Sequence, residues 1–164
     1  MITGANDSRS CTKRCIMPDY NVEYQIQTTS ARESAKREIS KVAARITDDK
    51  GVPLYDIVKA YQSDTFIVDG FIGDGIRQIV ARFQDCCIVN NDGQAYKLLF
   101  YLPDIDDAMV DAAGEEIDRF ICAQVTAMWL ATRYSAFAQF YTEQASASME
   151  RLVLLLRTRK APER

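Results

Sequence analysis

Two long helical stripes of apolar residues occupy the last third of the chain. Apolar side chains recur at intervals of three and four in residues 105–132, and again in residues 136–159. The stripes consist of Val110, Ala113, Ile117, Ile121, Val125 and Met128, and of Phe137, Tyr141, Ala145, Met149, Leu152 and Leu156. Each helix would be roughly 35–40 Å long. The pattern predicts a C-terminal αα-hairpin, or one long kinked helix, since neither Gly nor Pro marks the join.

Shorter helical patterns precede this pair. Ser30 and Glu33 form a capping-box pattern, which predicts a helix beginning at Ser30 and continuing to about residue 46. LYDIVKAY, after Pro53, predicts a short helix, and Ser63 or Asp64 could cap another over about 65–85. Glycines at 70, 73 and 75 each cost about 1 kcal/mol against alanine in a helix interior. They indicate a break or a close helix crossing.

Strand signals are few. Alternating apolar positions in residues 20–27 suit a short strand or an extended lead-in, and NNDG at 90–93 is a turn signal before the apolar AYKLLFYL. Residues 86–89 could pair with that segment as a hairpin. The predicted fold class is therefore mainly α with a minor β element: a helical bundle with a long C-terminal αα-hairpin and a short strand or hairpin around 86–102.

The length and composition fit one domain. The chain has 164 residues, of which 48% are hydrophobic and 26% charged, as in ordinary globular proteins. We expect an N-terminal arm at 1–18, a single helical domain at 19–160 and a basic tail at 161–164. No segment has the pattern of a signal peptide or a membrane span.

The residue inventory argues against enzymatic chemistry. The chain contains no histidine, which is the most frequent general base and the commonest metal ligand. The net charge of −3 argues against a surface wholly dedicated to nucleic acid, although a local basic patch is allowed. The five cysteines are odd in number and irregular in spacing, which indicates free thiols. We therefore expect no enzyme activity, no metal and no cofactor.

Three local patterns invite a site but match poorly. Cys11, Cys15, Cys86 and Cys87 could offer four thiolates to zinc, although their spacing is unlike a zinc knuckle. DGFIGDG at 69–75 lacks the features of a phosphate loop and of a calcium loop. Asp107 and Asp111 are four residues apart, which predicts an exposed, partner-facing acidic stripe on a helix rather than a carboxylate pocket.

Two features favour contact with a partner. RLVLLLR at 151–157 places five apolar residues around the whole helix, so a neighbouring subunit or the rest of the chain must cover them. The C-terminal end is basic and the preceding helix starts acidic, so unlike ends could meet head to tail in a ring, unless the charges only complement the helix dipoles. The predicted interface residues are Leu152, Val153, Leu154, Leu155, Leu156, Tyr141, Arg157, Arg159, Lys160, Arg164, Asp107 and Asp111.

The C-terminal forty residues resemble a family. A helix ending at Met128, Trp129 and Leu130, then a break, then FAQFYTEQASASMERLVLLLRTRKAPER is similar to the ending of small bacteriophage head–tail connector or neck proteins, virion structural proteins of the Bacteroides-phage type. The shared features are a Tyr-containing helix, a Leu-rich turn and a basic tail. The matching positions are Tyr141, Leu152, Leu155, Leu156, Arg159, Lys160, Pro162 and Arg164.

The resemblance implies a structural role in the virion, which is assembled in the cytoplasm of the bacterial host. It implies a homo-oligomeric ring between portal and tail proteins, in which arms reach neighbours and arginines could touch DNA phosphates without sequence specificity. Two alternatives remain open. One is a cytosolic helical regulatory or adaptor protein that binds a partner protein, and the other is a minor enzyme that uses carboxylates with Tyr or Lys.

Overall fold

Helices dominate the computed structural model, which describes residues 20–159. The expected arm and the expected tail, with its Arg164, lie outside that range, and so does Lys160. The helices are α1 (Thr28–Ala43), α2 (Tyr55–Val58), α3 (Thr65–Arg82), α4 (Asp107–Arg133) and α5 (Ala138–Arg157), and the strands are β1 (Val22–Gln27), β2 (Cys87–Asn91) and β3 (Ala95–Phe100). The predicted fold class, mainly α with a minor β element, is confirmed.

The C-terminal helices are two separate elements, not one kinked helix. The chain leaves helical geometry at Tyr134, where φ is −155°, and makes a single 3-10 turn at Ser135–Phe137 before α5. Ile105, just before α4, forms an isolated antiparallel β-bridge with Arg159, just after α5. The start of α4 therefore lies beside the end of α5, and the two helices form an antiparallel hairpin.

The sheet has the order β1-β3-β2, with both pairings antiparallel. The predicted hairpin is confirmed as β2 and β3, and its turn is closed by Asn91, whose side-chain oxygen accepts from the Gly93 amide at 2.8 Å. Gly93 has φ 88°, a left-handed conformation that glycine adopts without strain. The predicted strand over 20–27 is β1, which pairs with β3 from 68 residues or more away and brings the N-terminal end of the domain onto the sheet.

Helix α1 begins earlier than predicted. It starts at Thr28, directly after β1, and its N-cap Gln27 makes no capping hydrogen bond through its side chain. The prediction that Ser30 starts the helix is wrong. The backbone supplies what the cap would have supplied, since the Thr28 amide donates to the Gln94 carbonyl at 3.0 Å.

Helix α3 runs through the glycine cluster without a break, so DGFIGDG is not a loop. An ideal Cβ placed on Gly73 would lie 3.2 Å from the Tyr96 hydroxyl, and one on Gly75 would lie 3.8 Å from the Gln124 side chain on α4. Of the two sequence interpretations, a helix crossing is found at Gly75, against α4, whereas Gly73 faces a side chain of β3.

The core centres on α4, which packs against α1, α3 and α5. Its Trp129 is 1% exposed, and the indole Nε1 donates to the Val58 carbonyl at 2.6 Å. This hydrogen bond satisfies a buried carbonyl at the end of α2 and attaches that short helix to the bundle.

Candidate partner-binding surface

The Leu-rich turn, residues 152–156 of α5, is mostly covered by its own chain. Leu152, Val153 and Leu156 are buried, Leu155 is half-buried, and Leu154 is 69% exposed. The prediction that Leu152, Val153 and Leu156 contact a partner is therefore wrong, because α5 packs against α4 and brings them into the core. Leu154 is the one residue of this turn whose side chain stands well out of the protomer.

Tyr141 is also a core residue rather than an open contact. It is buried, and its hydroxyl donates to Glu38 Oε1 on α1 at 3.1 Å. Burial, together with the Glu38 carboxylate, raises the pKa of Tyr141 to about 12. Tyr141 thus bridges α5 and α1, and its predicted contact with a partner stays a prediction.

A second stripe, which runs from the turn before α5 along that helix, stays open to solvent; the sequence analysis named only Phe137, as part of the more apolar stripe, and Leu154 among its members. It consists of residues spaced three and four apart, with Phe140 55% exposed and Ala147 half-buried. We call it the α5 stripe, and its members are Phe137, Phe140, Gln144, Ala147, Arg151 and Leu154. The signal was present as a helical spacing, but it is shifted by one residue from the more apolar stripe that forms the core.

Three cavities lie in a row along the α5 stripe. Their volumes are about 540, 360 and 320 Å³, and we call the row the α5 groove. Glu38 and Tyr141 line both the first and the second cavity, and Arg119 and Arg151 line both the second and the third. The groove is therefore continuous over the hairpin, with α1 as a wall at the Phe137 end and α4 as a wall at the Leu154 end.

The ends of the groove differ in charge. At the Phe137 end, Lys41 pairs with Glu38 at 3.0 Å, whereas no carboxylate among residues 20–159 pairs with the exposed Arg45. At the Leu154 end, Glu116 Oε1 accepts from Arg119 at 2.6 Å, and Arg151 lies 3.9 Å from the same oxygen.

Glu116 has an unsatisfied oxygen. Its side chain is 7% exposed, and Oε2 is buried without a hydrogen-bond partner among the described residues. A buried polar atom left unpaired costs about 1–3 kcal/mol. The Leu154 end of the groove therefore lacks one hydrogen-bond donor.

The predicted charged clusters meet at one end of the molecule. Asp107 and Asp111 are exposed on the first turns of α4, and Arg157 and Arg159 are exposed at the end of α5. Because the helices are antiparallel, these clusters are neighbours within one protomer, not opposite ends of it. The unlike charges therefore do not lie at opposite ends of one protomer, and the expectation that they join copies in a ring stays a prediction.

The acidic residues do share a depression. Glu23, Asp107 and Asp111 line a surface cavity of about 420 Å³ beside β1, where the sequence predicted an exposed helix face alone. No cluster of three ligand-type side chains suited to a metal ion occurs within residues 20–159. The four-thiolate interpretation includes Cys11 and Cys15, which lie outside the described residues.

The described thiols are poor nucleophiles. Burial raises the pKa of Cys86 and of Cys122, and it raises the pKa of Cys87 to about 12. A protonated thiol neither attacks nor ligates readily. Burial therefore disfavours the thiolate form at all three cysteines.

Comparisons with protein-family models, curated proteins and solved structures found no match. Within residues 20–159, no helix combines the length and the apolar character needed to span a membrane.

Proposed function

We propose that this protein is a non-enzymatic virion structural protein, a head–tail connector or neck adaptor that forms a ring between portal and tail. The proposal joins the resemblance of the C-terminal forty residues to the surface of the protomer. An adaptor in a ring needs separate surfaces for its own copies and for other proteins. Two apolar areas on different elements fit that need: the α5 stripe and the start of α3.

The observation that carries the proposal is the exposure of Phe66. Its side chain is 87% exposed at the start of α3, and the adjacent Ile67 is 43% exposed. Gly70 lies one turn further along the same helix, and no atom would lie within 4 Å of a Cβ placed there. An exposed aromatic ring beside an open notch is a surface that a neighbouring copy can cover. We assign the contact between copies to this α3 surface.

Size-exclusion chromatography with light scattering tests the assignment. Across the micromolar range the full chain should have a mass several times its 18.5 kDa. Phe66→Asp should return it to the protomer mass, because a carboxylate cannot be buried in an apolar contact. Gln78→Asp, at another exposed position on α3, is the matched control and should leave the assembly intact.

A protomer mass at every concentration contradicts the ring and favours the alternative, a helical adaptor that binds a partner as a single copy. An assembly that Phe66→Asp leaves unchanged contradicts the assignment to the α3 surface. DNA binding measured at low and at raised salt tests the additional contact with phosphates. Binding should be lost at raised salt, and Arg157→Ala should weaken it.

A further inference from the structure

The α5 groove is open because α1 and α5 barely meet. The link between them at this point is the hydrogen bond from Tyr141 to Glu38, two residues that line both the first and the second cavity. The stripe from Phe137 to Leu154 covers 17 residues of rise, or about 26 Å. The groove is therefore as long as about five turns of a helix.

We propose that the α5 groove binds an amphipathic helix of a different protein, with a carboxylate near one end and a hydrogen-bond donor near the other. The proposal rests on the proposed function in that a neighbouring virion protein would supply this helix. It adds the chemistry of that partner and the site that recognises it.

The shape of the surface fits a helix. Members of the α5 stripe alternate at three and four residues, which is the spacing at which one helix packs its ridge against another. Phe140 and Leu154 are large and exposed near opposite ends, whereas Ala147 between them is small. A docked helix with apolar residues on one face would cover both large side chains and approach closely over Ala147.

The charges fix the chemistry of the two ends. Arg45 stands at the Phe137 end without a carboxylate among the described residues, so the partner should bring an acidic side chain there. Glu116 Oε2 at the other end is buried and lacks a donor among the described residues, so the partner should bring a lysine, arginine or hydroxyl that reaches it as the exposed Arg151 side chain moves aside. A helix with an acidic side chain at one end and a donor at the other can match both ends of the groove in one direction only.

A second copy of α5 is a poor occupant of the same groove. In an antiparallel pair with Phe140 facing Arg151 of the second copy, the exposed Glu143 lies beside Glu150 of that copy. In a parallel pair, each Arg151 faces its equivalent. Like charges in contact oppose association, so α5 disfavours pairing with itself in both directions.

Fluorescence anisotropy with synthetic helical peptides tests the proposal. The probes are amphipathic peptides with leucines at intervals of three and four, glutamate at one end and lysine at the other, made in both sequence directions. We expect one direction to bind the full chain at least ten times more tightly than the other. Equal affinity of both directions, or no binding of either, overturns the proposal.

Three variants locate the binding. Ala147→Trp should block the groove and abolish binding, whereas Ser146→Trp, which places the same ring one residue earlier at an exposed position outside the cavities, should have no effect. Arg45→Glu should weaken the preferred peptide about tenfold, and replacing the peptide's glutamate with lysine should restore it. Equal effects of the two tryptophan variants, or no rescue of Arg45→Glu, overturn the proposal.

A photo-crosslinker in place of Gln144, an exposed and larger residue that lines the second cavity, identifies the occupant in the assembled particle or in a mixture with the peptide. A crosslink to another copy of this chain overturns the proposal, and a crosslink to the helix supports it. The mass of each variant is measured alongside. Failed peptide binding with an intact ring refutes the groove alone, whereas peptide binding by a single copy refutes the ring alone.

Discussion

The Leu-rich turn offers two leucines, two residues apart on one helix, in opposite environments. Leu152 is 0% exposed, and Leu154 is 69% exposed. Replacing each with alanine leaves the helix propensity change the same, so the difference between the variants reports burial alone. For Leu152→Ala, lost transfer free energy and the residual cavity cost about 3 kcal/mol, within a range of about 2–5. The melting temperature should fall by about 6–12 °C for a domain of this size.

For Leu154→Ala, only about a third of the side chain is covered. Full burial of a leucine contributes about 2 kcal/mol, so the loss is about 0.6 kcal/mol, and the better helix propensity of alanine offsets part of it. Urea denaturation followed by circular dichroism measures both variants, with Phe66→Asp introduced into each so that assembly does not alter the transition. Equal destabilisation by the two substitutions would refute the orientation of α5.

Two substitutions and one change of pH test the core, the sheet and the buried titratable side chains. Trp129→Phe removes the donor to a buried carbonyl and leaves a gap, so the free energy of unfolding should fall by about 3 kcal/mol in denaturant titrations; no loss would contradict the indole hydrogen bond. Gly93→Ala should cost about 1 kcal/mol in the same assay because φ is 88°. Burial raises the pKa of Cys87 from 9.0 to about 12 and that of Tyr24 from 10.0 to about 12. The unfolded chain therefore loses these protons at a lower pH than the folded one, so the free energy of unfolding should hold below about pH 9 and fall between pH 9 and 12. A urea midpoint that stays constant over that range would contradict the burial of these groups.

Local patterns predicted the elements well where apolar positions repeat at helical spacing or a turn signal separates two strands. The apolar spacing of 105–132 and 136–159 located α4 and α5 closely, and the NNDG turn located the β2–β3 hairpin. The capping box at Ser30 misled because the turn between β2 and β3 supplies the acceptor for the first amide of α1, the Gln94 carbonyl. That contact joins residues 66 positions apart, and no local signal encodes it.

The candidate site was harder to predict than the fold. Five successive apolar residues from Leu152 to Leu156 indicate that the helix is covered on all sides. They do not indicate which elements cover it. Only the packing of α5 on α4 determines that Leu154 is exposed while Leu152, Val153 and Leu156 are buried. The α5 groove depends on a gap between α1 and α5, helices whose distance apart is set by the packing of both on α4. Arg45 and Glu116 acquire a shared role only through that gap.

The antiparallel hairpin changes what a ring of these chains can look like. Acidic Asp107 and Asp111 and basic Arg157 and Arg159 lie at the same end, so each protomer carries both signs side by side there. Adjacent copies in a ring can then pair acid with base laterally while their long axes stay parallel. Such a ring keeps the α5 groove of every copy at the same height and in the same direction. A partner whose docking helix has unlike ends would therefore meet every copy in one orientation, and this is the geometry required for stacking one ring on another component.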